Sequence, residues 1–306
     1  MSWLDRQSFL GADSDLTLSE ITAGIAGLGG GGSHVAQQLA HVGVGKFVLA
    51  DEDVIDETNL NRLVGGTRAD VLAGARKVDI AARLILAVNP KARITVVPRV
   101  WQEAIDELLP CDVIFGCVDN VRGKDELEAL CRRLLVPYID QGMDVHETGD
   151  GFLIAGQVFL SMPSAPCLRC LGIVTEEALD EEGRNYGAAG GKPQVVWPNG
   201  VLASTAVGLF MRLVTPWHRS DHMGACLEYD GNAGTLQCSE RMRRLSGRPC
   251  PHRLTTDLGD PSFDIRRVPL EKPDEVRPEE YVADAAMTAG SWRRLRQWLL
   301  SRLAKL

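Results

Sequence analysis

Short apolar runs alternate with longer amphipathic segments along the first half of this chain. The apolar runs predict strands at 21–26, 46–50, 94–98 and 113–116, with a further extended segment beginning at 137–140. Helices are expected from the glycine-rich turn at 27–32 to about residue 41, and over 70–88 and 124–135. Strands that alternate with helices are typical of a mostly parallel sheet with crossover helices, so the fold class is α/β and Rossmann-like.

The second half of the chain is less regular. A strand is expected at 157–160, and a helix rich in small residues is expected at 201–214. Between them, the acidic and glycine-rich segment 175–194 predicts a mobile loop. This part of the chain therefore forms a smaller, mixed region attached to the parallel sheet.

The pattern divides the chain into one α/β domain and a C-terminal extension. The domain covers 1–254, a linker rich in Pro and Asp covers 255–290, and a basic amphipathic helix covers 291–306. Three roles are open for this helix. It packs on its own domain, docks a partner protein such as a conjugating enzyme, or lies on a membrane surface.

Composition narrows the class of protein. The chain has 306 residues, of which 45% are hydrophobic, and its net charge is −8. It has no apolar run of transmembrane length and no secretory signal pattern, so we expect a cytoplasmic protein without a membrane partner. The acidic balance argues against a nucleic-acid partner.

The sequence GLGGGGS follows the first predicted strand and precedes a helix. Glycines at such a turn let backbone N–H groups approach a phosphate, and the helix N-terminus adds partial positive charge. Asp51, at the end of the next strand, is placed to bind a ribose. The residues expected to border the nucleotide are Gly27, Gly29, Gly30, Gly32 and Ser33. This pattern fits a dinucleotide as well as ATP.

Four further polar residues point to a triphosphate. Asn59 and Arg62 lie in NLNR, Lys77 in GARK, and Asp119 in the strand-end turn VDN. Two cations would offset phosphate charge, and a second carboxylate would hold Mg²⁺. A nicotinamide cofactor does not need this number of charged groups.

The order and spacing of these motifs resemble the ThiF/MoeB/ubiquitin-activating enzyme superfamily, over roughly residues 3–253. The resemblance implies an eight-stranded sheet in a homodimer, and ATP-dependent adenylation of the C-terminal glycine carboxylate of a ubiquitin-like or sulfur-carrier protein. It implies that Arg6 reaches the ATP of the partner subunit. Of the motif residues, Asp51 would bind ribose and Asp119 the magnesium ion. The triphosphate would be held by Asn59, Arg62 and Lys77.

Cys167 and Cys170 form a Cys-x-x-Cys pair, which supplies half of a tetrahedral zinc site. The resemblance implies a structural zinc ion held by two such pairs. In the second region Cys250 matches, but Arg253 stands where the last cysteine is expected. His252 or Cys238 is the candidate fourth ligand.

Relatives that form a thioester or persulfide carry a cysteine four residues before a Gly-Val-Leu helix start, and Val196 occupies that position here. Because valine is not a nucleophile, two routes are open. Either the adenylate passes to the thiol of another protein, such as a conjugating enzyme or a sulfurtransferase, or a cysteine elsewhere in the chain acts, for which Cys226 and Cys238 are the possible residues. The cysteines at 111, 117 and 131 are expected to be small buried hydrophobes. The alternatives are a non-catalytic dimeric scaffold, an NAD-binding oxidoreductase, and an enzyme that activates a peptide for antibiotic synthesis or takes part in tRNA modification.

Overall fold

The computed structural model describes residues 2–163, 165–184, 193–218, 225–245, 247–253 and 258–259. One eight-stranded sheet with the order β3-β2-β1-β4-β5-β6-β7-β8 forms the centre of the molecule. Its strands are β1 Thr22–Ala26, β2 Lys46–Ala50, β3 Arg93–Val97, β4 Val113–Gly116, β5 Tyr138–Thr148, β6 Gly151–Ser161, β7 Ala225–Asp230 and β8 Thr235–Cys238. The strands from β3 to β5 pair in parallel, and those from β5 to β8 pair in antiparallel fashion. The predicted α/β class is confirmed.

Helices cover both faces of the sheet. They are α1 Ser14–Glu20, α2 Gly30–His41, α3 Arg68–Ala73, α4 Lys77–Val88, α5 Ile105–Leu108, α6 Val121–Leu134, α7 Leu168–Leu171, α8 Glu176–Arg184, α9 Val196–Val214 and α10 Glu240–Leu245. One core packs α2, α4 and α9 against one face of the sheet, and a second core packs α5, α6 and α7 against the other. Consecutive residues of β4 belong to different cores, because successive side chains of a strand point to opposite faces.

The parallel pairing brings four chain segments to one edge of the sheet. Ala26 is in register with both Ala50 and Gly116, and Gly116 is in register with Asp140. The residues that come directly after these positions therefore meet at the carboxyl edge, where ligands of such sheets bind.

Several predicted boundaries change. The helix expected at 70–88 is two helices, because Gly74 adopts a left-handed conformation with φ +61° and ends α3. The strand expected at 157–160 is the end of the longer β6. The helix expected at 201–214 begins at Val196, with Pro198 in its first turn, where a missing N–H costs little.

The prediction of a mobile loop at 175–194 is wrong for its first half, which forms α8. Three contacts explain the helix. The Thr175 hydroxyl accepts a hydrogen bond from the Ala178 N–H at 3.1 Å, and Leu179 packs against the second core. The Glu182 carboxylate accepts hydrogen bonds from the first two N–H groups of α6, each at 2.8 Å. Residues 185–192 lie outside the described part.

The linker predicted at 255–290, apart from residues 258–259, and the helix predicted at 291–306 also lie outside the described residues. In the part of the chain that is described, none of the helices combines the length and apolar character that crossing a membrane requires.

A buried ion pair within α6, between Glu128 and Arg132, also connects this helix to the loop before α7. The Arg132 Nε donates to Glu128 at 3.1 Å, and its terminal nitrogens donate to the carbonyls of Ala165 and Pro166. Both side chains are almost fully buried. The pair therefore fixes where the chain enters the segment that begins at Cys167.

We expect Arg132→Leu to lower the free energy of unfolding by about 3–5 kcal/mol, because Glu128 would keep a buried charge without its main partner. Urea denaturation measures this change. The matched control is Arg244→Leu, since Arg244 forms an ion pair on an exposed helix face and should matter by less than about 1 kcal/mol. Equal effects of the two substitutions would contradict the role of the buried pair.

Candidate nucleotide site and cysteine cluster

A cleft of about 520 Å³ opens at the carboxyl edge of the sheet. Seven of the residues predicted to bind nucleotide or metal line it: Gly27, Gly29, Gly30, Asp51, Arg62, Lys77 and Asp119. The fold therefore gathers residues that are far apart in the sequence into one site.

The glycine turn is shaped by close backbone approach. Gly27 has φ +86°, a conformation that favours glycine. A Cβ atom at Gly32 would lie 1.9 Å from the carbonyl oxygen of Gly27, so only glycine fits there. Gly29, by contrast, has open space beside it. The first turn of α2 consequently borders the cleft without side chains of its own at 29–32.

Asp51 is held in place by the same turn. Its carboxylate accepts hydrogen bonds from the N–H groups of Leu28 at 2.5 Å and Asp53 at 2.8 Å. Burial raises the pKa of the Asp51 carboxyl, and the nearby Lys77 charge and these two N–H groups oppose that rise. The carboxylate is therefore oriented before any ligand binds.

Two cations, Lys77 and Arg62, also line the cleft. Lys77 forms an ion pair with Asp53 at 2.6 Å, and its side chain is only 11% exposed. Arg62 donates from Nη1 to the Thr58 carbonyl at 2.7 Å and to the Asn61 side chain at 3.0 Å. These contacts hold both cations at the cleft wall, as a triphosphate site requires.

Four predicted residues lie outside the cleft lining, and one of them is Gly32, which packs on the carbonyl of Gly27. Asn59 is buried and closes a capping box with Asp56. The Ser33 hydroxyl donates to the Gly30 carbonyl at 3.1 Å and accepts from the Val64 N–H at 3.0 Å, so it joins α2 to the loop that carries Arg62. Arg6 is exposed in the 3-10 helix Asp5–Leu10.

Asp119 is exposed at the end of β4, just before Asn120 caps the N-terminus of α6. One open carboxylate at the cleft is compatible with Mg²⁺, which usually takes one or two carboxylates and completes its shell with phosphates and water.

Several cleft residues were missed by sequence reasoning. Lys124 is almost buried and donates to the Asp140 carboxylate at 2.7 Å and to the Gln141 carbonyl at 2.9 Å. The amide side chains that line the cleft include Gln141, Gln157, Gln194 and Asn199. A signal for Gln141 was present, since it comes directly after the expected extended segment at 137–140.

Cys117 differs from the expectation of a simple buried hydrophobe, because it lines the cleft and its sulfur lies 3.0 Å from the Gln141 amide nitrogen. Burial raises its pKa to about 12. Cys111 and Cys131 are buried in the second core, as predicted.

A second cluster brings Cys167, Cys170, Cys250 and His252 together, with one ligand atom from each and all of these atoms within 4.8 Å of one another. The sulfur of Cys170 lies 3.7 Å from that of Cys167 and 3.6 Å from that of Cys250. The His252 Nδ1 atom lies 3.6 Å from the Cys167 sulfur and 3.3 Å from the Cys170 sulfur.

These spacings fit a zinc ion. Zinc about 2.3 Å from each sulfur in a tetrahedron requires sulfur atoms about 3.8 Å apart. Burial raises the pKa of the Cys167 and Cys170 thiols, so without a cation both stay protonated at neutral pH. Of the two candidate fourth ligands, His252 belongs to the cluster and Cys238, exposed at the end of β8, does not.

Arg253, which replaces the expected cysteine, points away from the cluster. It forms an ion pair with Asp125 at 2.6 Å and donates to the Asp125 carbonyl at 2.8 Å. Asp125 also binds Arg169 at 2.8 Å. The arginine at position 253 therefore supplies no metal ligand and instead links the segment that carries the cluster to α6.

Helix α9 begins at Val196 and not at Gly200. The Val196 side chain is 42% exposed. Two other cysteines of the described residues, Cys117 and Cys226, are poor substitutes as the nucleophile. Burial raises the pKa of Cys226 to about 12, as it does for Cys117.

Comparison with known proteins identifies the family of this chain. The sequence profile of the ThiF family matches residues 4–257. The chain is 31% identical over 230 residues to the sulfur carrier protein ThiS adenylyltransferase of Escherichia coli (strain K12), covering 74% of this chain and 83% of that protein. It is 32% identical over 163 residues to the molybdopterin-synthase adenylyltransferase of the same organism, covering 52% and 61%.

The solved structure of E. coli MccB with MccA-N7isoASN superposes with a TM-score of 0.64 at 19% identity, covering 78% of this chain and 71% of that one. That likeness concerns the fold. The predicted family and the predicted class, adenylyltransferase, are those of the named relatives. Since the profile covers most of the sequence and the first relative aligns over most of its own length, this chain belongs to the ThiF family.

Proposed function

We propose that this protein uses ATP to adenylate the C-terminal glycine carboxylate of a ubiquitin-like or sulfur-carrier protein, and that it releases pyrophosphate. The observation that carries the proposal is that one cleft brings together the glycine turn, the acid that follows β2, two cations and an exposed carboxylate. These charged residues are Asp51, Arg62, Lys77 and Asp119. The named relatives that adenylate carrier proteins support the same reaction.

In this proposal Asp51 binds the ribose, and the N-terminus of α2 with Arg62 and Lys77 binds the triphosphate. Asp119 holds Mg²⁺. An oxygen of the carrier carboxylate attacks the α-phosphorus and forms the acyl-phosphate bond, while the bond from that phosphorus to pyrophosphate breaks. The carboxylate is ionised at neutral pH, so no general base is needed. The protein contributes by positioning the carboxylate against ATP and by stabilising the negative charge on the phosphates.

The acyl-adenylate then passes to the thiol of another protein, such as a conjugating enzyme or a sulfurtransferase. The valine at 196 supports this route, as do the raised pKa values of Cys117 and Cys226, which keep both thiols protonated.

We further propose a homodimer in which Arg6 completes the site of the partner subunit. Within one chain Arg6 does not line the cleft. Large apolar side chains near it are exposed, among them Trp3, Phe9, Leu16 and Trp217. The rings of Phe9 and Trp217 contact each other, and an exposed apolar patch of this kind is typical of a protein interface.

The alternatives have less support. An NAD-binding oxidoreductase would not need Arg62, Lys77 and Asp119 at its cleft, and the named relatives are adenylyltransferases. A scaffold without activity would not need the complete set of cleft residues. Activation of a peptide, or a role in tRNA modification, uses the same cleft and differs only in substrate.

The first test is ATP–pyrophosphate exchange with purified protein and carrier proteins ending in Gly-Gly from the same genome. We expect exchange that depends on one carrier. Tight nucleotide binding without exchange for any carrier would favour the scaffold.

Asp119→Ala should lower the exchange rate by about 100-fold or more, because it removes the proposed magnesium ligand, while the melting temperature changes little. Asp79→Asn is the matched control, since Asp79 is exposed on α4, away from the cleft. An exchange rate for Asp119→Ala close to that of the control would refute the role of Asp119.

The proposed dimer makes a quantitative prediction. Arg6→Ala and Asp119→Ala should each be nearly inactive alone. When the two variants are co-expressed, half of the dimers are mixed and each mixed dimer has one intact site, so exchange should recover to about a quarter of the wild-type rate. If Arg6 acts within its own chain, the co-expressed variants should stay inactive.

Purified protein should contain about one zinc ion per chain, measured by mass spectrometry of the metal. His252→Ala should lose most of this zinc and lower the melting temperature. His41→Ala, a substitution at an exposed position outside the cluster, should keep it. A folded wild-type protein without zinc, whose melting temperature a chelator does not change, would contradict this assignment.

A further inference from the structure

The two ends of the cleft differ in chemistry. The end near β2 and α4 carries charged groups, including Asp51, Asp53 and Lys77. The end near β5, β6 and α9 carries four amides, namely Gln141, Gln157, Gln194 and Asn199, together with Asp144 and with Lys124, whose ammonium group is paired with Asp140. Amide side chains pair with the N–H and C=O groups of a peptide, whereas cations pair with phosphates.

Gln141 and Asn199 pack directly on the first turn of α2. A Cβ atom at Gly31 would lie 2.4 Å from the Gln141 amide nitrogen, and one at Gly30 would lie 2.7 Å from the Asn199 amide nitrogen. The first N–H groups of a helix have no partner within the helix. An anion bound there would therefore sit beside both amides.

The Gln141 side chain is left with an unused acceptor. The residue is only 5% exposed, and its nitrogen contacts the Cys117 sulfur at 3.0 Å. Its oxygen is buried and has no hydrogen-bond partner among the described residues. An unpaired buried carbonyl is costly, and sulfur is a weak acceptor, so the amide gains little in its present orientation.

We propose that Gln141 is a substrate-positioning residue that accepts a hydrogen bond from the last peptide N–H of the carrier tail. This inference rests on the proposed function, because it assigns a role within the same site. The terminal torsion of a glutamine side chain is broad, so the amide turns its oxygen toward the cleft without leaving its rotamer. The nitrogen of the terminal glycine lies two bonds from its carboxylate carbon. Holding this N–H therefore orients the carboxylate beside the first turn of α2.

The consequence is a requirement for a peptide terminus. A carboxylate without a neighbouring N–H would leave the Gln141 oxygen unpaired in the complex, and would be adenylated more slowly. Sites built to pair with a donor discriminate in this way against substrates that lack it.

The experiment removes the last peptide N–H from the substrate and, separately, the Gln141 amide from the protein. Carrier proteins ending in Gly-Gly are prepared by ligation in two forms, one native and one with glycolate in place of the last glycine, so that an ester oxygen replaces the N–H. The kcat/KM of ATP–pyrophosphate exchange is measured for both forms with wild-type protein and with Gln141→Met. Methionine keeps the length of the side chain and removes the strong acceptor.

We expect wild-type protein to prefer the native tail over the ester tail by about tenfold, and Gln141→Met to prefer it by less than about twofold. Gln237→Met, at an exposed position on β8, should keep the wild-type preference. Comparing the two preferences cancels any general effect of the ester bond and any loss of folded protein.

An equal preference in wild-type protein and in Gln141→Met would overturn the role of Gln141 and leave the proposed function standing. The absence of exchange in wild-type protein, with every carrier tested, would instead refute the proposed function, and the inference would fall with it.

Discussion

The close contact between Gly27 and Gly32 is the constraint on which the rest of the site depends. With no side chain at 32, the first turn of α2 rests on the carbonyl of Gly27. This position leaves the Leu28 N–H free to bind Asp51 and the Ser33 hydroxyl free to bind Val64. The acid at the end of β2 and the loop that carries Arg62 are thus both positioned by one turn.

The cysteine cluster supports the opposite side of the cleft. The chain runs from Cys170 through the end of α7 to Gly172, which lines the cleft. The next helix, α8, caps the N-terminus of α6 through Glu182, and Arg253 binds α6 at Asp125. The turn with Asp119 lies at the start of α6, so contacts made by the segments around the cysteine cluster set the position of the predicted magnesium ligand. The replacement of a cysteine by Arg253 adds to this support and leaves the cluster with His252.

The fold was more predictable than the site. The strands at 46–50 and 113–116 were predicted with correct bounds, because buried parallel strands are short apolar runs between polar turns. Helix α8 was missed, because its acidic sequence gives no sign of the tertiary contacts made by Leu179 and Glu182. Asn59 illustrates a second limit. Its motif predicts a ligand contact, which stays a prediction, and the sequence did not indicate that its side chain also closes a capping box with Asp56. Motif position identifies a neighbourhood, and the local hydrogen bonds decide which side chain faces the cleft.

If the chain makes the proposed adenylate, the absence of a cysteine at 196 constrains how the acyl group leaves the cleft. The thiols of Cys117 and Cys226 are held protonated by burial, so they compete poorly for the activated carbonyl. The first turn of α9 instead presents Val196 and Trp197 to solvent, next to the cleft residue Asn199. An acceptor thiol that approaches over this turn of α9 would therefore meet an apolar surface. Choice of acceptor would then depend on the shape and apolar character of the incoming protein at this point. The first step, by contrast, would depend on the charged residues of the cleft, Arg62, Lys77 and Asp119.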